Sequence, residues 1–209
     1  MAKKSILLIK SNNKYHSNNY NFEENGFQII NANILEVEEL KIEKISDNFT
    51  IIITSMNAIF AIEKMQIAKN NPIFTVGEIS ANILKDLGYN NIIHGNNSAQ
   101  SLLDKIITEK LIPKTEKIIY LSGEKITINI AKKLQKLRYN IQRKIIYKIN
   151  SKKLSQNLID DLKNNKINDI ALFSKNGEEI FHDICKNNNI NLSNKNIYYP
   201  RKSLIFSDK

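Results

Sequence analysis

The sequence predicts an α/β fold made of two similar parallel-sheet halves, and three observations support it. Short β-branched runs alternate with helical patterns along the whole chain. One stretch of that alternation occurs twice. The three prolines, Pro72, Pro113 and Pro200, all stand in connections rather than inside elements.

The elements follow in order. Ser5–Ile9 reads as a strand, and Ser17–Asn25 as a short helix that Gly26 caps. Phe27–Ile30 is extended again. Further strands are predicted at Phe49–Ile53, Ile73–Val76, Asn91–Ile93, Lys117–Leu121, Ile141–Ile149 and Asp169–Phe173. Helices fall between them, at Ser55–Lys69, Ile79–Leu87, Ser98–Leu111, Ile126–Leu137, Leu154–Asn164 and Gly177–Asn187. The repeat relates "IIITSMNAIFAI" to "IALFSKNGEEIF", each a strand, then Ser-x-Asn, then a helix. It also relates "NGFQIINANILEVEEL" to "YNIQRKIIYKINSKKL". The first copy continues into a further strand, helix, strand and helix. The second reaches "SLIFSDK" and stops, so the terminal lobe is expected to be short at its C-terminus.

The 209 residues, 42% of them hydrophobic, suffice for one large core or two smaller ones. The longest apolar run near the start, Ile6 to Ile9, is far too short for a membrane span. One cysteine, Cys185, rules out an internal disulfide framework and fits a reducing, cytoplasmic setting. The formal charge is +10, but only Arg138, Arg143 and Arg201 among the 31 basic residues are arginines. Scattered lysines suit a solvated surface better than a nucleic-acid reader, which leans on arginine forks. A ligand with several negative groups would also be gathered by such a charge.

The chemistry-bearing motifs are strand-to-helix turns. In "FTVGEISANILKDLGY" a strand meets Gly77 and turns into a helix with Ser80 in its first turn. Gly77 is a lone glycine, so neither a G-x-G-x-x-G fingerprint nor a Walker loop is present. "HGNNSAQSLL" repeats the geometry, with Gly95, Asn97 and Ser98. "TSMNA" (Thr54, Ser55, Asn57), "SGEK" (Ser122, Gly123) and "FSKNG" (Ser174) add three more. Each hydroxyl or amide reads as a helix cap, or as one of several polar turns lining the carboxyl ends of parallel strands, where free N–H groups suit carboxylates. His16, His94 and His182 are isolated and lack metal-ligand spacing, and Cys185 lies mid-helix without a catalytic partner.

In order and spacing, "IIITSMNAI", "FTVGEISANILKDLGY", "HGNNSAQSLLDKI", "IIYLSGEK" and "IQRKIIYKI" together resemble the uroporphyrinogen-III synthase family. The resemblance implies two flavodoxin/Rossmann-like lobes joined by a two-stranded β-ladder. The terminal lobe is discontinuous, residues 1–35 plus 149–209, and the middle lobe is 36–148. It also implies a cytoplasmic, monomeric lyase of porphyrin and haem biosynthesis. Such an enzyme, a hydro-lyase, cyclises hydroxymethylbilane to uroporphyrinogen III with inversion of ring D and loss of water. It needs no metal or organic cofactor, no nucleic acid and no membrane. A non-catalytic tetrapyrrole-binding homologue of the same build is the alternative.

Residue by residue, Tyr147 in "RKIIYKI" matches the family tyrosine that assists hydroxyl departure; by itself it reads as a half-buried strand tyrosine. Thr54, Ser55 and Asn57 match the "TSxNA" turn, Ser80 the hydroxyl position of "VGxxT", and Gly95, Asn97 and Ser98 the "GNxSAE" turn. Lys10 falls at the basic position after the first strand. Ser122, followed by Gly123, stands where the family has arginine in "LRGE", which removes a cation at that position. The family's late glycine–threonine turn should follow near Ser207, where the chain ends.

Overall fold

The computed structural model describes residues 4–12, 22–32, 34–43, 49–96 and 98–200. In chain order these residues form β1 (Lys4–Ile9), β2 (Phe27–Asn31), β3 (Leu35–Glu39), β4 (Thr50–Ile53), a 3₁₀ turn (Met56–Ala58) and α1 (Ile59–Lys64). Then come β5 (Ile73–Val76), α2 (Glu78–Asp86), β6 (Ile92–Gly95), α3 (Ala99–Thr108), β7 (Lys117–Gly123) and α4 (Ile130–Lys136). The chain closes with β8 (Asn140–Ser151), α5 (Gln156–Lys163), β9 (Asp169–Leu172), α6 (Lys175–Asn187) and β10 (Asn196–Tyr198). It divides into two compact units, Met1–Val37 with Asn150–Lys209, and Glu38–Ile149.

In the first unit the strand order is β10-β9-β1-β2, and every pairing is parallel. Strands with helices against both faces need apolar side chains at successive positions, not alternating ones. Ile6, Leu7, Leu8 and Ile9 of β1 are accordingly all buried, as are all four residues of β9. Phe22 and Phe27 meet edge-on, as do Phe27 and Tyr198, at ring distances of 6.4 and 6.5 Å. Lys195 is buried too. Its three ammonium hydrogens are shared among Leu162 O, Asn165 Oδ1, Ile167 O and Asn168 Oδ1, so it ties down the turn after α5 and satisfies carbonyls the helix end leaves open.

The second unit holds the parallel strands β8-β7-β4-β5-β6, and β3 lies beside β8. Its core gathers Ile52, Phe74 and Tyr120 from the sheet with Leu102, Ile106 and Leu134 from α3 and α4. β3 and β8 run antiparallel: Leu40 N donates to Ile146 O, and Lys152 N donates to Ile34 O, each at 2.9 Å. The chain passes between the units along these two strands.

Several elements depart from the sequence expectation, each for a local reason. The helix expected over Ser55–Lys69 begins as a 3₁₀ turn and ends at Lys64. Gln66 takes a positive φ of 52° there, and Ile67 N–H reaches back to Ile62 O, closing the helix with two buried isoleucines in register. The helix expected from Ile126 starts at Ile130, because Asn129 accepts Lys132 N–H and caps it. Residues 22–25 of the expected helix Ser17–Asn25, with Gly26, form a turn; the helix's remainder lies outside the described residues, as do His16 and the "SLIFSDK" segment. β10 is an element the sequence reading missed.

Thr75 is fully buried on β5, and its Oγ1 has no hydrogen-bond partner. A desolvated, unpaired hydroxyl costs free energy that an isosteric methyl does not. Thr75→Val should therefore stabilise the protein by about 1 kcal/mol, read as a higher urea midpoint with an unchanged slope.

Candidate functional site

In an open parallel sheet, ligands gather beyond the carboxyl ends of the strands, at the point where the strand order reverses. In the second unit the chain proceeds outward from β4 through β5 to β6. It then returns to the other side of β4 for β7 and β8, so the switch lies between β4 and β7. Thr54, Ser55 and Asn57 follow β4 directly, and Ser122 and Gly123 end β7. The structure brings Ser55, Asn57 and Gly123 to Tyr147 of β8.

Tyr147 is 6% exposed. Gly123 is what lets its ring in. A Cβ on Gly123 would lie 2.6 Å from Tyr147 Cε2, 2.7 Å from Cζ and 2.9 Å from the hydroxyl oxygen. The β7–β8 register also slips here. Ser122 pairs with Ile145 but Gly123 pairs with Tyr147, which leaves Ile146 as an extra residue on β8. Such a bulge breaks the strict alternation of faces and re-aims the following side chain. Ile146 and Tyr147 are consequently both buried.

Burial pushes the Tyr147 phenol above its ordinary value of 10.0, and hydrogen bonds from Ser55, the Gly123 backbone and Asn57 pull it back down. Bonds that pull a phenol down are those that steady the phenolate. Ser55 is poised for this. Its Oγ already accepts the Asn57 backbone N–H at 3.2 Å, which leaves its own hydrogen to donate. Tyr120, fully buried on β7, shares a 3.0 Å hydrogen bond with Thr54 Oγ1. Its phenol is likewise raised, first by burial, with the Thr54 bond and the charge of Arg143 opposing.

Arg143 was not among the sequence candidates. From β8 its Nε donates to Ser122 Oγ at 2.8 Å, and its Nη2 donates to Gly123 O at 2.7 Å and to Glu124 O at 2.8 Å. The cation expected to be missing at Ser122 is thus brought there by the neighbouring strand. The available signal was its type: it is one of three arginines in a lysine-rich chain. Tyr120 was also overlooked, although a tyrosine in an otherwise aliphatic buried strand needs a hydrogen-bond partner.

The other candidates divide by unit. Ser80 follows β5, Gly95 ends β6 and Ser98 follows it, continuing the same carboxyl edge of the second unit. Gly77 has φ 74° and ψ 156°, a conformation open to glycine, and turns β5 into α2 without a side-chain cap. Ser80 is buried. Gly95 permits close packing, since a Cβ there would sit 2.7 Å from the Leu102 Cα. Ser98 caps α3 by accepting Ser101 N–H at 3.0 Å. Asn97 lies outside the described residues. Lys10 and Ser174 belong to the first unit, after the adjacent strands β1 and β9. Ser174 Oγ accepts Gly177 N–H at 2.9 Å and caps α6, and burial lowers the Lys10 ammonium from its ordinary value. A cavity of ≈ 190 Å³ in the first unit and one of ≈ 260 Å³ in the second lie at the opposite, amino ends of the strands. They are lined by such residues as Ser5 and Asn168, and Thr50 and Pro72. The candidate residues line neither.

The family described as "Uroporphyrinogen-III synthase HemD" matches residues 19–199. The chain belongs to this family. The match supports uroporphyrinogen-III synthase as its function, a lyase activity of haem biosynthesis. The crystal structure of uroporphyrinogen-III synthetase from Helicobacter pylori superposes with a TM-score of 0.61 at 16% sequence identity, over 94% of this chain and 83% of that one. A mutant uroporphyrinogen III synthase from Thermus thermophilus gives a TM-score of 0.53 at 12% identity, over 87% and 77%. At these identities the likeness speaks for the fold. No curated protein matches significantly. Among the described residues no helix is long and apolar enough to cross a membrane.

Four phenols, those of Tyr89, Tyr120, Tyr147 and Tyr198, are raised by burial first, Tyr198 to about 12. In the unfolded chain they ionise near the ordinary 10.0. The folded state then holds protons that the unfolded state releases, so these groups cost nothing below that pH and destabilise the fold above it. Urea midpoints should be level from pH 7 to about 9 and fall beyond about 10. Phenolate absorbance from these four should appear only as the protein unfolds.

Proposed function

We propose that this chain is a hydroxymethylbilane hydro-lyase in which Tyr147 donates the proton that lets the terminal hydroxyl leave as water. The observation that carries the reading is the Tyr147 hydroxyl itself. It is buried beside the sheet's switch point, where hydrogen bonds with Ser55, the Gly123 backbone and Asn57 act against the effect of burial. The phenol, ordinarily at 10.0 and raised further by burial, is in its acid form at neutral pH. The same groups would receive the phenolate as the proton departs, an arrangement fixed before reaction.

Loss of water leaves an electron-poor azafulvene, and closure through a spiro intermediate inverts ring D. The protein's larger task is to hold a flexible polyanion curled, an effect of orientation. The net charge of +10 and the strand-to-helix turns at Ser80 and Ser98 suit a substrate with many carboxylates. Lys10 and Ser174 are proposed substrate contacts of the first unit. In this reading the enzyme works as a cytoplasmic monomer without cofactor, nucleic acid or membrane partner.

The test uses freshly generated hydroxymethylbilane, with the oxidised products separated by isomer. Uroporphyrin III is the expected product; isomer I alone, as in the spontaneous reaction, would make the chain a non-catalytic tetrapyrrole-binding homologue. Tyr147→Phe should lower kcat by about 10²-fold, the scale of a lost general acid, with a melting temperature close to that of the parent. Full activity in a folded Tyr147→Phe protein would remove Tyr147 from the chemistry.

A further inference from the structure

We propose that Arg143 is a positioning residue for Tyr147, acting by clamping the end of β7 against which the Tyr147 ring lies. Two demands conflict at Gly123. Only a residue without a side chain leaves room for the ring, because a Cβ would meet three of its atoms at 2.6, 2.7 and 2.9 Å. Glycine, however, is the residue whose backbone is least confined. It stands here where the strand register slips and the regular ladder cannot hold it. A bare wall for the ring would therefore also be a loose one.

Arg143 removes that looseness. Its guanidinium spans three acceptors on consecutive residues, Ser122 Oγ, Gly123 O and Glu124 O, at 2.8, 2.7 and 2.8 Å. Ser122 Oγ in turn donates to Gly123 O at 3.1 Å, so that one carbonyl receives two donors. Beyond the bulge, Glu124 N–H donates to the Tyr147 backbone carbonyl at 2.9 Å, and the ladder resumes. Gly123 is thus fixed through its carbonyl on one side and touches the phenol with its bare Cα and backbone on the other. The planar fork matters, since a lysine ammonium is a point donor and does not match acceptors fixed on three successive residues.

The catalytic consequence rests on Tyr147 being the proton donor proposed above; the positioning itself does not. The experiment keeps the two apart. The full chain is labelled with ¹³C at tyrosine Cζ, and the Tyr147 resonance is assigned as the one missing from Tyr147→Phe. In Arg143→Met, which keeps the stem but cannot donate, that resonance should shift or broaden. Its titration midpoint should rise, because the Gly123 bond that favours the ionised form is weakened. In the hydroxymethylbilane assay kcat should fall about tenfold, the scale of one lost charge-assisted bond, with KM within about twofold. Arg143→Lys should restore thermal stability but not the resonance or kcat. Should Arg143→Met fail to fold, Ser122→Ala removes one acceptor of the clamp and should move the same resonance less. An unmoved Tyr147 resonance in folded Arg143→Met, or in Ser122→Ala when it takes that place, overturns the proposal. So does a lysine variant that restores both resonance and kcat. Full activity in Tyr147→Phe together with a moved resonance would instead sink the acid role and leave the clamp standing.

Discussion

A parallel sheet covered on both faces has no place for polarity except at its ends, and that constraint organises this protein. The central strands are apolar throughout because each side chain meets a helix or a neighbouring strand: Ile51, Ile52 and Ile53 on β4, and Ile170, Ala171 and Leu172 on β9. Hydroxyls, amides and backbone donors can then face outward only where strands turn into helices. Thr54, Ser55 and Asn57 come at once after β4, and Ser122 and Gly123 complete β7. The sheet's reversal between these two strands parts the connecting helices and leaves the edge open there. Thr75 is an exception within the barrier, a hydroxyl sealed inside β5 with nothing to bond.

At that edge the bulge on β8 and the missing side chain of Gly123 act together. The bulge turns Tyr147 inward beside Ile146, and the glycine gives its ring somewhere to lie. The hydroxyl then falls among groups already committed by their own local bonds. Ser55 is engaged in starting the 3₁₀ turn, where its Oγ accepts the Asn57 N–H. Capping and chemistry therefore share the same atoms. A serine that begins a helix also supports a phenol, so the plain structural role of the "TSMN" turn and its functional one do not compete.

Much of this was legible in the chain. The alternation of apolar strands with amphipathic helices fixed the α/β class, because helix and strand periods differ and parallel strands read as unbroken apolar runs. The ordered turns pointed to the family that the profile over residues 19–199 then established. What misled the reading was short-range competition. Asn129 begins a helix that the apolar pattern would have started four residues earlier, and Gln66 ends one that the pattern would have continued. Caps depend on one side chain meeting one N–H, a detail that periodicity averages away.

By itself the sequence determined the fold class, the family and the set of polar turns, since each is written in neighbouring residues and their spacing. It could not place Arg143 on Ser122, because the two are 21 positions apart and meet only when β7 and β8 pair. Nor could it show that Gly123 faces Tyr147. Strand alternation counts residues along one chain segment, whereas a bulge is a mismatch between two. The tertiary structure decided which hydroxyls surround Tyr147 and what holds its wall in place, because those are relations across strands that no local pattern carries.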